Sequence, residues 1–217
     1  MGGRGSFSGL LKTIDDVLGI NSGVKGVVKE ISVEPFLNLE QAEELIRRRK
    51  KEVLIVFDNT GQAIKAYQGG RHSVAFPVDE AIKWKGFTVT HNHPGGVHME
   101  GFGGTFSFED MRNATVYEYG SHRAVAAGQG EKNYILRAGP DARPMELNRR
   151  IAADIPALRE RMREVAKNVE KEYSQKSEKY KNYGHAVHVA RQKSVGVLNS
   201  YYREVAEQYG YIYRAQK

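Results

Sequence analysis

The chain has no cysteine in its 217 residues. That absence excludes a disulfide framework, cysteine-type zinc fingers and thiol catalysis, and leaves His, Asp and Glu as the strong metal ligands. No apolar run approaches the roughly 20 residues that a membrane-spanning helix needs. Walker A, GxGxxG and Ser-His-Asp signatures are missing, so phosphate-loop, dinucleotide and serine-hydrolase chemistry have no anchor. The opening stretch, Met1 to Gly9, lacks the apolar centre of a signal peptide. A cytoplasmic protein with no membrane association is expected.

Enough apolar material is present for a core, 40% of residues, so global disorder is not expected. Net charge is +7 with a pI near 9.4. From Met145 to Lys217, 15 Lys and Arg face 9 Asp and Glu, which puts six of the seven net charges in the last third. This asymmetry marks a boundary and a candidate binding surface for a protein partner, although packing of a C-terminal helical hairpin against the sheet domain is the favoured reading of its apolar stripe. Nucleic acid is the less favoured occupant, because acidic residues are interleaved with the basic ones.

The pattern of elements predicts an α+β protein, a mixed or antiparallel sheet flanked by helices, followed by a C-terminal α-helical hairpin. Residues 1–37 read as a Gly-rich, loosely packed lead-in, 38–140 as the sheet domain and 145–217 as the basic hairpin. Asn38 with Gln41 three residues on predicts a capped helix to about residue 51. Val53-Leu54-Ile55-Val56-Phe57 reads as a central strand buried on both faces. Strands are expected at 62–67, near His72 to Phe76, at 86–90, at 123–127 and at 134–137, with a short helix after Pro77. Apolar residues at helical spacing begin near Asp154, and Gly184 reads as the break between two long helices.

The chemistry concentrates in His91-Asn92-His93-Pro94 and Ser107-Phe108-Glu109-Asp110. Residues two apart on a strand point to one face, so His91 and His93 can aim at one ion. Catalytic zinc takes three protein ligands and leaves a fourth position to water, and Asp110 would complete that count. Ser107-x-x-Asp110 is also a helix capping box, which is how the spacing reads by itself; the nearby H-x-H is what brings in the ligand reading. Elsewhere, His72 and His122 look isolated, and His185 and His188 form an i,i+3 pair with no acid near in sequence.

Taken together with Glu52 at the head of the central strand, the H-x-H and S-x-x-D elements resemble the JAB/MPN (JAMM) metalloprotease superfamily. Pro94-Gly95 after the histidines is similar to the bacterial and phage branch, RadC-like proteins and phage morphogenesis domains among them. The resemblance covers roughly residues 50 to 138. It implies Zn²⁺ held by His91, His93 and Asp110, with Glu52 as general base and Ser107 as hydrogen-bond donor to the oxyanion. The implied reaction is hydrolysis of a peptide or isopeptide amide in a protein or peptide substrate, in a host cytoplasm or a virion if phage-encoded. The other reading is a catalytically inactive structural module of phage-assembly type on the same fold. Residues 95–104 lengthen the interval between His93 and Ser107 beyond the family's usual one, and His98 and Glu100 within them are further candidate ligands. Glu34 and Glu80 compete with Glu52 for the role of base.

Overall fold

The computed structural model describes residues 29–33, 38–71, 73–94, 105–127, 132–175 and 182–216. Most of the lead-in, the 95–104 segment with His98 and Glu100, and also Glu34 and His72, lie outside them.

Helix α1 (Leu39–Arg47) starts where its cap requires. The Asn38 side chain accepts from the Gln41 amide at 2.9 Å, and the Gln41 side chain accepts from the Asn38 amide at 3.3 Å. These reciprocal bonds satisfy two of the four amides that a helix start leaves bare. Strand β2 (Val53–Phe57) is buried along its whole length. Its alternation divides the molecule. Leu54 and Val56 join one core, whereas Val53, Ile55 and Phe57 join a second with Ala42 and Ile46 of α1.

Around β2 the sheet has seven strands among the described residues, ordered β1-β3-β2-β4-β5-β6-β7. The others are β1 (Lys29–Glu30), β3 (Ala63–Gln68), β4 (Thr88–His93), β5 (Ser121–Ala126), β6 (Asn133–Ala138) and β7 (Tyr211–Gln216). All neighbouring pairs run antiparallel except β4 and β5. That parallel pair needs a crossover, and helix α3 (Phe108–Val116) lies on it. Gly86 and Gly120, just ahead of the two strands, touch closely. A Cβ on Gly120 would stand 2.2 Å from the Gly86 carbonyl oxygen, so only glycine fits there.

The first core also takes in helix α4 (Pro144–Gln175), helix α5 (Tyr183–Gln208) and β7. Leu147, Ile151, Leu158 and Met162 of α4 and Leu198 and Tyr202 of α5 are buried with Leu54, Ala124 and Leu136 of the sheet. Burying an aliphatic side chain of this size contributes about 1.5–3 kcal/mol, so the C-terminal helices supply much of what holds this face together.

Several expectations need correction. No strand forms at 73–76; β1 takes the free edge of β3 where such a strand would pair. Phe76 packs instead on Trp84 and Tyr117, with ring centroids 5.3 and 5.9 Å away. Helix α4 begins ten residues before Asp154, because Leu147 and Ile151 extend its apolar stripe backward and Pro144 suits a first helical position. Gly184 does not break a helix; it lies in the first turn of α5, behind the Asn182 cap. After α5 the chain turns at Gly210 (φ +76°) and returns as β7 beside β6, so the hairpin is not its last element. The short helix expected after Pro77 is α2 (Val78–Ala81), continued by a 3-10 turn over Ile82–Trp84.

Candidate metal centre

The site lies at the carboxyl end of β4, beside the start of α3. Strand alternation sends His91 and His93 to the face covered by α3, and Thr90 and Asn92 to the face covered by α1. On β5, the partners of His91 and His93 are Ala124 and Ala126, small residues that leave room for two imidazoles. On the other side, Leu54 of β2 stands opposite His91. Continued two residues, that register sets Glu52 across from His93.

Asp110 arrives from the first turn of α3. The Ser107 side chain accepts from the Asp110 amide at 3.1 Å, and Asp110 Oδ2 accepts from the Ser107 amide at 2.7 Å. The capping box expected from S-x-x-D is formed. The Asp110 carboxylate also reaches both histidines, so the cap does not prevent it from serving as a ligand. Asp110 Oδ1 lies 3.3 Å from His91 Nε2, and Oδ2 lies 3.5 Å from His93 Nε2. Atoms bound about 2.0–2.1 Å from a tetrahedral zinc stand about 3.3–3.4 Å apart, so these spacings match the edge of such a polyhedron. The two Nε2 atoms approach more closely, to 2.8 Å. A ligand atom from each of Glu52, His91 and His93 also falls within 4.8 Å of the others. The residues are therefore geometrically able to bind a metal ion.

Electrostatics favours a cation here. Burial alone would raise the Asp110 carboxyl, yet the charge and hydrogen bonds of His91, followed by those of His93, hold it well below the ordinary carboxylate range. Glu52 shows the opposite balance. Only 6% exposed, it is pushed by burial from 4.5 up to about 8, with His93 lowering it and Asp110 raising it by smaller amounts. Two carboxyl groups beside the same histidines thus differ widely in proton affinity, the arrangement that separates a ligand from a base.

Asn92, between the two histidines, has a separate task. Fully buried, it accepts from the Val53 amide at 2.7 Å and donates to the Arg49 and Lys51 carbonyls at 3.4 and 3.2 Å. The residues on both sides of Glu52 are thereby tied to the metal strand. Ser107 Oγ donates to Asp110 Oδ2 at 2.7 Å, so its hydroxyl hydrogen is directed at a candidate ligand. Glu80, a competitor for the role of base, instead accepts from the Tyr67 hydroxyl at 3.4 Å and lies 3.6 Å from Lys65 Nζ. Two groups among the described residues could hold an ion, Glu52 with His91 and His93, and His91 with Asp110 and His122; His185 and His188, a turn apart on α5, belong to neither.

The sequence reading missed His122. Buried at 3% exposure, its Nε2 is 3.2 Å from His91 Nδ1 and its Nδ1 is 3.1 Å from the Asp110 carbonyl oxygen. Burial, and then His91, push this imidazole down to about 3. Its residue type and the inward alternation of His122, Ala124 and Ala126 were visible, but its neighbour depends on the parallel register that sets His122 beside Val89.

A second missed contributor is the strut behind the site. Phe106, with no exposed surface, packs its ring against those of His122, Tyr213 and His91 at 5.1, 6.2 and 6.3 Å. Next to it, the Thr105 hydroxyl donates to Asn199 Oδ1 at 2.6 Å and shares a hydrogen bond with the Tyr213 hydroxyl at 3.0 Å. The segment that delivers Ser107 and Asp110 is therefore anchored by α5 and β7.

No protein-family model matches the chain, and neither a curated protein nor a solved structure is found to be similar to it. Among the described residues, no helix is long and apolar enough to cross a membrane.

Proposed function

We propose that this chain is a zinc-dependent hydrolase of peptide or isopeptide amide bonds, of JAB/MPN (JAMM) type. One observation carries the reading. His91 Nε2 and His93 Nε2 converge with the Asp110 carboxylate, whose oxygens lie 3.3 and 3.5 Å from them, and a buried Glu52 carboxyl stands beside the two imidazoles. Two neutral imidazoles and one carboxylate form a donor set that suits zinc and leaves a coordination position for water. Zinc held there would lower the pKa of its water toward about 7 and polarise the scissile carbonyl.

The chain's own groups account for the proton movements. Glu52, which a neighbouring dication would return to the carboxylate form, accepts the water's proton and carries it to the leaving nitrogen as the C–N bond breaks. A carboxylic acid and an amine result. Asn92 holds Glu52 in place through the main chain on either side of it. Ser107 donates to the carbonyl oxygen as it becomes an oxyanion, which requires its hydroxyl to turn from Asp110 Oδ2 toward the substrate. A protein or peptide substrate suits this chemistry.

The competing reading, an inactive assembly module, keeps the fold and uses its surfaces alone. It loses ground because Glu52 stands beside the histidines, where a purely structural carboxyl would carry an unrepaid burial cost. The first test is elemental analysis of protein purified without chelator, wild type beside Asp110→Ala. About one zinc per chain in the wild type and little in the variant is expected. Glu52→Gln should then keep the metal and lose cleavage of linear and isopeptide-linked test substrates. A folded wild type without metal would overturn the reading.

A further inference from the structure

Among the described residues, His122 is the imidazole at this site that the proposed chemistry does not use. It is buried, and aromatic rings hold it on two sides. Phe106 lies 5.1 Å away, and Tyr119 meets it edge-on at 5.5 Å and 84°. Both of its nitrogens have partners, and the partners differ in kind. Nδ1 faces the main-chain carbonyl of Asp110 at 3.1 Å, whereas Nε2 faces His91 Nδ1 at 3.2 Å.

Direction follows from the partners. A carbonyl oxygen only accepts, so the hydrogen between His122 and Asp110 must sit on His122 Nδ1. A neutral imidazole carries one N–H, which leaves His122 Nε2 as a bare acceptor. The contact with His91 is then a hydrogen bond only if His91 Nδ1 carries the hydrogen. In a neutral His91, the form that can bind an ion, Nε2 is then bare. It is this atom that meets Asp110 Oδ1 at 3.3 Å and His93 Nε2 at 2.8 Å.

We propose that His122 is a positioning residue that fixes His91 in its Nδ1–H tautomer and presents the lone pair of Nε2 to the ion. The same relay ties the side chain of one ligand to the main chain of another, since the carbonyl belongs to Asp110. A metal-binding histidine usually hands its second N–H to a carboxylate, a carbonyl or water. Here a second imidazole stands in that place and passes the bond to the backbone of the helix that carries the carboxylate ligand. The two strands and the helix are thus linked before any ion arrives. The inference rests on the metal reading for its consequence, but the contacts that link His91, His122 and the Asp110 carbonyl belong to the metal-free protein.

The test uses the full chain with its histidines labelled with ¹⁵N, and compares wild type, His122→Phe and His122→Gln. Long-range ¹H–¹⁵N correlation spectra of the metal-free proteins at neutral pH report which nitrogen of His91 is protonated. Wild type should show the Nδ1–H form. His122→Phe, which removes the acceptor, should lose that preference. His122→Gln should retain it, because its amide can accept from His91 and donate to the Asp110 carbonyl. Zinc and cobalt(II) titrations should then show about 10–100-fold weaker binding in His122→Phe and near-normal binding in His122→Gln. Thermal unfolding of the three proteins separates misfolding from lost positioning, and a misfolded His122→Phe leaves the wild-type spectrum to decide. An Nε2–H form in wild type, or an unchanged tautomer in folded His122→Phe, overturns the proposal. A wild type that binds neither metal yet shows the Nδ1–H form overturns the hydrolase reading and leaves the relay standing.

Discussion

Glu52→Gln should remove a pH dependence that the wild-type site builds into folding. The substitution keeps the shape of the side chain and removes its titration. In the folded, metal-free protein, burial lifts the Glu52 carboxyl from 4.5 to about 8, so across that interval it holds a proton that the unfolded chain has released. The unfolded state then binds fewer protons than the folded state, and stability falls as pH rises through the window, by at most about 1.4 kcal/mol per pH unit. Between about pH 5 and about pH 7 the loss comes to about 2.5 kcal/mol. His122 and other titrating groups are common to both proteins and largely cancel when the two are subtracted. The assay is urea unfolding in chelator at several pH values for wild type and Glu52→Gln. The stability difference between them should shift toward the variant as pH rises. With zinc added, the neighbouring dication favours the carboxylate and the difference should flatten. A difference that stays constant within about 0.5 kcal/mol, or moves toward the wild type with rising pH in chelator, would refute the reasoning.

Three further outcomes follow from the same geometry. Asn92→Ala strips partners from the Val53 amide and the Arg49 and Lys51 carbonyls, and should cost about 1–3 kcal/mol in urea unfolding while zinc content stays near wild type, because its side chain lies on the opposite face from the ligands. Phe106→Ala removes a ring with no exposed surface from between His91, His122 and Tyr213; a loss of about 3–5 kcal/mol with weakened zinc binding is expected, and intact binding at full stability would show that the strut is not needed. Gly120→Ala must push apart the approaches to β4 and β5, since the new methyl would lie 2.2 Å from the Gly86 oxygen, and a lower melting temperature together with reduced metal occupancy is the expected result.

What was legible in the sequence was local. The Asn38–Gln41 cap, the uninterrupted apolar run of β2 and the H-x-H spacing act within a few residues, where the period of a helix or strand decides which side chains share a face. The same locality made Ser107-x-x-Asp110 readable as a cap, and it is one. Its second identity, a carboxylate spanning two imidazoles, depends on where α3 sits over β4. The tertiary structure alone decided that His122, far along the chain from His91, would stand behind it, because a parallel pairing across a helical crossover sets that neighbour. It also decided that the last described residues would turn back as β7, and that Thr105 would be held by Asn199 and Tyr213. Residue type and spacing determine which chemistry a segment can offer. Which segments meet is settled by long-range strand register and by burial of a shared core, and neither leaves a periodic trace in the chain.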